Sequence, residues 1–324
     1  MIRLLMTLCI AMNLGTAAAQ TYPSKPIRLV VGYGPGGVAD ITARLVAQKL
    51  TESMGQPVIV ENRPSAGGIM AGDLVAKADP DGYTLLHLNS GNAISAASFR
   101  KLPFDVKKDF ESIANMGAVD FVVLVDKSSD IKTMADFMAK ARANPGKTNI
   151  GTVSIGSGQH MAATLFKSIT GVDAPVVPYK ATPALFAALK GKDIDVVFEV
   201  VSPALSLIRG GELRAIAVSS AKRFAGLPDV PTMMESGVKD FDVNAWNGLA
   251  APAKTPKAII DRLNKEVNAV LALPDVQKRF QDLGIDPRGG TPGELRNKLF
   301  SEVDKWTSLV STMNMERSRP LGFY

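Results

Sequence analysis

Strand-like and helix-like segments alternate along most of the chain. Short apolar runs rich in β-branched residues predict strands, and apolar residues between them recur at helical spacing, as Leu185 and Leu189 do before Gly191. This alternation is typical of α/β proteins, in which helices cover both faces of mostly parallel sheets. The predicted strands are residues 27–32, 58–61, 84–88, 121–125, 150–153, 176–178, 196–201 and 215–218.

The C-terminal part of the chain has a different pattern. Thr255 and Pro256 form an N-cap and a first-turn proline before one apolar helical stripe, and Thr291 and Glu294 form a capping box before another. No strand is predicted between these two helices, so we expect them to dock on a sheet formed earlier in the chain. The predicted domains are residues 20–120 with 242–324, and residues 121–241.

The first residues have the pattern of a secretory signal. Arg3 precedes an apolar stretch, and Ala17 to Ala19 supply the small residues of a cleavage site. The apolar stretch is too short to cross a bilayer, which needs about 20 residues. We therefore expect residues 1–19 to be removed and the mature protein to be periplasmic. Cys9, the one cysteine, lies in this segment, so no disulfide is expected.

Composition excludes several other classes of function. The formal charge of +6 comes from basic residues that alternate with acids in the helical segments, whereas nucleic-acid-binding proteins cluster them on one face. His87 and His160 are the two histidines, which leaves little from which to build a transition-metal site. About 305 mature residues favour two domains.

A glycine-rich segment joins the first predicted strand to the first predicted helix. Residues 33–37 read Tyr-Gly-Pro-Gly-Gly, and the helical pattern begins at Val38. A helix that starts after such a turn exposes backbone N–H groups and its positive dipole end, which predicts an anion site. Tyr33 offers an aromatic wall and a hydroxyl. Asp40 is interpreted as a helix cap, with ordering of water or rejection of a wrong ligand as alternatives.

The same residues also match a dinucleotide-binding fingerprint. Gly32, Gly34 and Gly37 have the required spacing, and Glu61 ends the next predicted strand, where such folds place a ribose-binding acid. A Rossmann-type NAD enzyme is therefore an alternative. The predicted export argues against it, because nicotinamide cofactors are rarely available outside the cytoplasm. We expect no cofactor.

A second glycine-rich helix start follows the strand at 150–153. Ser154 and Ser157 could donate hydroxyl hydrogen bonds beside exposed N–H groups, so two such segments could hold one small anion from both sides. The alternative is that the glycines only permit tight turns. Ser157 and His160 also suggest a hydrolase, but the Gly-x-Ser-x-Gly motif is absent, and we expect His160 to bond locally.

Glu199 lies near the end of the predicted strand 196–201. This position faces the ligand crevice in open α/β sheets. An acid there would favour a polar or amine-bearing ligand, or would simply be exposed. His87 lies inside another predicted strand, where we expect a buried imidazole with its hydrogen bonds satisfied.

Taken in order, the motifs resemble those of the Bug-type periplasmic solute-binding proteins, the receptors of tripartite tricarboxylate transporters. The resemblance extends from about residue 22 to residue 309. Its motifs are YPSKPI at 22–27, PGG at 35–37 with Asp40, VENRP at 60–64 with Gly67 and Gly68, DGYTL at 81–85, Gly156-Ser157 with His160, VPYK at 177–180, Arg223 with LPDVPT at 227–232, and Trp246 with Gly248 and Leu249.

The resemblance implies a periplasmic-binding-protein-like architecture: two α/β domains joined by crossing strands, with a ligand cleft between them. It implies a non-enzymatic, monomeric receptor that closes around a small organic carboxylate and delivers it to membrane transporter subunits or to a sensor. By matching position, the ligand-binding residues are Tyr33, Gly36, Gly37, Val38, Ala39, Asp40, Asn89, Ser90, Ser154, Gly156, Ser157 and Gly158, to which we add Glu199.

The chain departs from the family pattern at the start of the first helix. Relatives usually carry Ser-Thr or Ser-Ala where this chain has Val38 and Ala39. Loss of a hydroxyl makes the predicted pocket more apolar. We therefore expect an aromatic or longer aliphatic carboxylate rather than a hydroxyl-rich one such as citrate.

Overall fold

Two sheets that share one long strand organise the molecule. The computed structural model describes residues 22–153, 157–312 and 317. The shared strand, β4 (Phe110–Asp126), pairs with β9 (Asn244–Pro252) along its first part and with β7 (Val196–Val200) and β8 (Leu213–Val218) along its second. All three of these pairings are antiparallel. The chain passes from the first sheet to the second along β4 and returns at the start of β9.

The first sheet has the order β2-β1-β3-β9-β4, with β10 on the other side of β4. Its first three strands are parallel and β9 runs against them. Parallel neighbours bring their carboxyl ends to one edge of the sheet, so the segments that follow β1 and β3 lie close together. The strands not yet defined are β1 (Ile27–Val31), β2 (Val58–Asn62), β3 (Thr84–Asn89) and β10 (Asp286–Gly289).

The second sheet repeats this arrangement with the order β6-β5-β7-β4-β8. Its parallel strands are β5 (Ile150–Val153), β6 (Val176–Tyr179) and β7. In the register of β5 and β7, Ile150 pairs with Val196, so both strands end at the same edge. Three parallel strands beside antiparallel crossing strands confirm the predicted α/β class, with sheets that are mixed.

Ten helices of the described residues cover these sheets. Helix α8 packs against α1 and β4, while α10 packs against α3 and β4. The helices are α1 (Val38–Met54), α2 (Ile69–Ala76), α3 (Ser90–Ser98), α4 (Met134–Ala143), α5 (Gly158–Thr170), α6 (Thr182–Lys190), α7 (Val201–Arg209), α8 (Lys257–Leu271), α9 (Pro274–Asp282) and α10 (Pro292–Thr312).

The predicted C-terminal pattern needs two corrections. The N-cap of α8 is Pro256 and not Thr255, whose hydroxyl donates to Pro252 O at 2.8 Å, so the first residue of α8 is Lys257. Three helices, not two, follow β9, and β10 lies between the last two. The residues of β10, Asp286–Gly289, include a proline and a glycine and show no apolar alternation, so they carry no local strand signal. They form a strand because β4 supplies an antiparallel partner. The predicted capping box is present, since Thr291 Oγ1 accepts from Glu294 N at 3.2 Å.

One hydrophobic cluster runs beneath both sheets. It joins Trp246 of β9, Ile94 of α3, Phe121 of β4 and Phe166 of α5. Two further clusters lie on the opposite faces, one under α1 and α8 and one under α6 and α7. Helices α3 and α5 both contribute to this continuous core and contact each other. No helix within the described ranges has both the length and the apolar character needed to span a membrane.

Candidate ligand-binding site

The first helix entrance, residues 33–40, joins β1 to α1. Gly37 is the N-cap of α1 and has no side chain with which to cap the N–H groups of the first turn. Gly36 has a φ of 82°, a left-handed conformation that favours glycine. Val38 and Ala39, which follow, are half-buried. The entrance thus exposes backbone donors beside apolar side chains.

Asp40 fixes the shape of this entrance. It is 3% exposed, and its carboxylate accepts hydrogen bonds from Gly36 N at 2.9 Å, Arg44 Nε at 3.0 Å and Asn62 Nδ2 at 2.9 Å. Burial alone would raise its pKa, but these donors together hold the pKa below the usual value of 3.8. Asn62 also donates to Tyr33 O at 2.9 Å. Asp40 therefore holds the loop and is already committed to protein donors.

The loop after β3 contacts the first entrance. Tyr33 donates its hydroxyl hydrogen to Asn89 Oδ1 at 3.2 Å, and burial raises the pKa of Tyr33 to about 12. Asn89 caps α3 by accepting from Gly91 N at 2.8 Å. A Cβ on Gly91 would overlap the Tyr33 hydroxyl. Asn89 and the adjacent Ser90 are both buried.

The second helix entrance begins α5 directly after β5. Ser154 and Gly156, both predicted ligand contacts, lie outside the described residues. Ser157 is the N-cap of α5, and its Oγ accepts from His160 N at 3.1 Å. The same hydroxyl donates its hydrogen to Val153 O at 2.7 Å. That Ser157 donates to a ligand stays a prediction, and such donation would require the hydroxyl to turn away from Val153 O.

This geometry also argues against the hydrolase alternative. A serine nucleophile must give its proton to a base, whereas the hydrogen of Ser157 goes to the Val153 carbonyl. The contact of His160 with Ser157 is made by its main-chain N–H. Burial lowers the pKa of His160. Gly158, next to Ser157, packs against Phe121, whose ring would lie 2.8 Å from a Cβ at that position.

Glu199 differs from its prediction. It is 0% exposed, so the alternative of an exposed acid is wrong. Both carboxylate oxygens accept hydrogen bonds from protein donors: Gln159 Nε2 at 2.5 Å, Thr182 Oγ1 at 2.8 Å and its own neighbour Val200 N at 2.7 Å. Burial raises its pKa, and these donors oppose the shift. Direct contact with a ligand does not agree with this burial.

A contact between α3 and α5 connects the surroundings of the two entrances. Both follow the carboxyl ends of parallel strands, and α3, which contacts the first entrance through Asn89, packs against α5. Phe121, where β4 passes between the sheets, lies under Gly158. Helices α3 and α5 therefore lie side by side, with Phe121 of the crossing strand β4 under the start of α5.

Several residues near the site were missed by the sequence analysis. Arg44 could have been found, because it lies one helical turn after Asp40. Asn62 and Gln159 are 22 and 40 residues from their carboxylate partners, and no local pattern marks such pairs.

His87 lies beside Asn89, with Nδ1 3.3 Å from Asn89 Nδ2. Its Nε2 has no partner within the described residues, so the imidazole is only half satisfied.

The dinucleotide alternative fails on the same residues that suggested it. Gly32 is needed for packing, because a Cβ there would lie 2.5 Å from Gly68 Cα. Gly37, which in the fingerprint would pack closely against a strand, has only Gly34 O at 3.9 Å. Glu61 is paired with Arg28 at 2.7 Å and also bonds to Arg63. No group of acids and histidines that could hold a metal occurs in the described chain.

Two mixed sheets joined by crossing strands, each with a helix entrance that follows a parallel strand, define a periplasmic-binding-protein-like fold, the class to which solute-binding proteins belong. Comparison with known protein families identifies the family within this class. The family described as the tripartite tricarboxylate transporter family receptor, TctC, matches residues 42–315. The chain belongs to this family, whose members are periplasmic receptors. The predicted family and the prediction of a non-enzymatic protein are both confirmed.

Relatives match over nearly the whole chain. A protein encoded in the tcbD-tcbE intergenic region of Pseudomonas sp. strain P51 is 34% identical over 312 residues, 95% of this chain and 93% of that protein. Protein BugT of Bordetella pertussis is 34% identical over 295 residues, which is 90% of each chain.

Solved structures of solute-binding proteins share the fold. The periplasmic binding protein BugD is 31% identical with a TM-score of 0.79, covering 92% of this chain and all of BugD. Rpa4515 of R. palustris, solved with adipate, is 30% identical with a TM-score of 0.80, covering 90% of this chain and 98% of that one. MatC from Rhodopseudomonas palustris, with bound malate, is 30% identical with a TM-score of 0.77, covering 89% of this chain and 100% of MatC.

Proposed function

We propose that this protein is a periplasmic receptor that binds a small organic carboxylate between the first and second entrances. The observation that carries the proposal is the first entrance. Gly37 leaves the N–H groups of the first turn of α1 without a side-chain cap, and Asp40 is already engaged by Arg44 and Asn62. An anion at a helix N-terminus is stabilised by about 0.3–1 kcal/mol when exposed and up to about 2 kcal/mol when partly buried.

The proposed contacts are those of the two entrances and the β3 loop. No Lys or Arg occurs in residues 33–40 or 154–160, so N–H groups, hydroxyls and water would hold the carboxylate. The full set, which includes Ser154 and Gly156 outside the described residues, is Tyr33, Gly36, Gly37, Val38, Ala39, Asp40, Asn89, Ser90, Ser154, Gly156, Ser157 and Gly158. Ser157 is included for its main-chain atoms, because its hydroxyl hydrogen is bonded to Val153 O.

The proposed ligand is an aliphatic or aromatic mono- or dicarboxylate. Val38 and Ala39 offer half-buried apolar surface beside the exposed donors. The binding of adipate by Rpa4515 and of malate by MatC supports the dicarboxylate class. The apolar first turn favours a ligand with methylenes, such as adipate, over one rich in hydroxyls, because burying an unpaired hydroxyl has a free-energy cost.

The proposal includes the domains, the route of export and the partners. Residues 20–120 with 242–324 would form one domain and residues 121–241 the other, with the ligand cleft between them and the crossing strands as the hinge. Cleavage after residue 19 would release a monomer to the periplasm. The receptor would deliver its ligand to tripartite transporter subunits, or to a sensor.

Calorimetric titration of the mature protein with a panel of acids tests this proposal. The panel contains adipate, malate, benzoate, citrate and NAD. We expect saturable binding of adipate or an aromatic acid, weaker binding of citrate, and none of NAD. Preferred binding of citrate would contradict the apolar first turn, and tight binding of NAD would overturn the receptor assignment.

A further inference from the structure

Glu199 joins the N-terminal ends of three helices in the second sheet. Its carboxylate accepts from Gln159, the second residue of α5, from Thr182, the first residue of α6, and from Val200, the N-cap of α7. These donors lie 40, 17 and 1 residues away along the chain. One buried group thus ties together helices that follow three different strands.

Two of these helices have no cap of their own. The N-caps of α6 and α7 are Ala181 and Val200, whose side chains have no polar atoms. Exposed N–H groups and the positive dipole end at a helix start favour a nearby anion. The Glu199 carboxylate supplies that negative charge from within the protein. In contrast, α5 has a side-chain cap, because the Ser157 side chain accepts a hydrogen bond from His160 N. The first turn of α5 belongs to the proposed ligand site.

Among the residues that the structure describes, no cation pairs with this carboxylate. Within the described residues Glu199 has no Lys, Arg or His partner, and its bonds are to an amide, a hydroxyl and a main-chain N–H. A buried carboxylate without a counter-ion is costly unless hydrogen bonds compensate it, and a fully bonded buried network makes its surroundings rigid. Such a group is placed to determine local geometry.

We propose that Glu199 is a positioning residue. Its carboxylate provides negative charge at the N-terminal ends of α6 and α7. Through its hydrogen bond with Gln159 it also fixes the first turn of α5 in the arrangement that receives the ligand carboxylate. This inference rests on the proposed function, since the site that it positions is the second entrance. Glu199 itself does not touch the ligand. Its role replaces the direct contact expected from the sequence.

The test compares Glu199→Gln with Glu212→Gln as a matched control. Glu212 is an acid near the same sheet, about half exposed, and it pairs with Lys190 at the surface. Hydrogen–deuterium exchange of the ligand-free proteins reports the first turn of α5, calorimetry reports adipate affinity, and urea unfolding reports global stability.

We expect Glu199→Gln to exchange faster at residues 158–162 and to bind adipate about threefold to tenfold more weakly, the effect of one lost hydrogen bond. Glu212→Gln should change neither.

A second variant isolates the link to α5 and keeps the test valid if Glu199→Gln does not fold. Gln159→Leu removes the donor but leaves Glu199 and its other two bonds. It should reproduce the faster exchange and the weaker affinity, and the double variant should be no weaker than the worse single variant. Additive losses would overturn the route through Gln159.

The outcomes separate this inference from the proposed function. If the wild-type protein binds no acid of the panel, the proposed function fails, while exchange in the ligand-free protein still decides whether Glu199 positions α5. Unchanged exchange at residues 158–162 in both variants would overturn the inference. Lower global stability with unchanged exchange in the folded state and unchanged adipate affinity would also overturn it.

Discussion

The first and second entrances each contain a buried carboxylate, but the two carboxylates have partners of different charge. Each is a helix start at which a buried carboxylate accepts hydrogen bonds from the protein, Asp40 at α1 and Glu199 at α5. At the first entrance Asp40 is paired with a cation, Arg44, whose side chain is 52% exposed. At the second entrance Glu199 has only neutral donors and is fully buried. Hence the pKa of Asp40 is lowered while that of Glu199 is raised.

This difference shows how a site for anions can contain acids. A carboxylate near a bound carboxylate repels it unless the first charge is neutralised or held away. Arg44 neutralises Asp40, and the helix starts of α6 and α7 stabilise Glu199. In the proposed site each acid shapes its loop, and the N–H groups of α1 and α5 would be left for the ligand. Removing either acid should therefore damage the site rather than improve it.

The largest effect should come from blocking the first entrance. Gly37→Val places a branched side chain where the ligand carboxylate would approach the N–H groups of α1, so adipate binding should be abolished. The fold should tolerate this change, because a Cβ at Gly37 meets only Gly34 O at 3.9 Å. Calorimetry and urea unfolding measure the two effects separately.

A matched control exists at the start of α10. A Cβ on Gly293 would also meet one atom, Thr291 Oγ1, at 3.9 Å, and Gly293 belongs to neither entrance. Gly293→Val should bind adipate like the wild type. Normal adipate binding by Gly37→Val would place the site elsewhere.

The pH dependence of stability should separate the two acids. The lowered pKa of Asp40 means that its contribution is present above its usual pKa of 3.8 and is lost as the pH falls through the folded-state value. Asp40→Asn should therefore cost about 1–3 kcal/mol of unfolding free energy near neutral pH, and less in acid.

Glu199 should show the opposite slope. Because its pKa is raised above its usual value of 4.5, its contribution is greatest below that pH and falls as the pH rises through the folded-state value. Glu199→Gln should therefore be most destabilised relative to the wild type in acid, and less so near neutral pH. Urea unfolding from about pH 3 to pH 7 measures both variants, and parallel slopes would contradict the contrast between the entrances.

The smallest effect on affinity should come from the hydroxyl of Ser157. Ser157→Ala removes an N-cap and should cost about 0.5–2 kcal/mol of stability, with a change in adipate affinity below about threefold. Thr133→Ala is a matched control, because Thr133 caps α4 by accepting from Asp136 N at 3.1 Å and is not among the proposed ligand contacts. A loss of affinity above about tenfold in Ser157→Ala alone would show that the hydroxyl does bind the ligand.

Local patterns in the sequence were sufficient for most elements but not for the contacts between them. The strand Ile150–Val153 is predicted at its observed bounds, because apolar β-branched residues mark it directly. The first part of β4 and all of β10 depend on partners distant in sequence. At the site, the exposed N–H groups of α1 follow from Gly36 and Gly37. The use of the Ser157 hydrogen and the burial of Glu199 do not, because both depend on three-dimensional packing.

Backbone amide chemical shifts on addition of adipate would show whether both helix entrances hold the ligand. In the ¹⁵N-labelled mature protein, we expect the largest shifts at Gly37 and Val38 of the first entrance and at Gly158 and Gln159 of the second, with saturation at a common adipate concentration. Shifts confined to one entrance, or centred on distant Lys or Arg residues, would contradict a ligand held between the two.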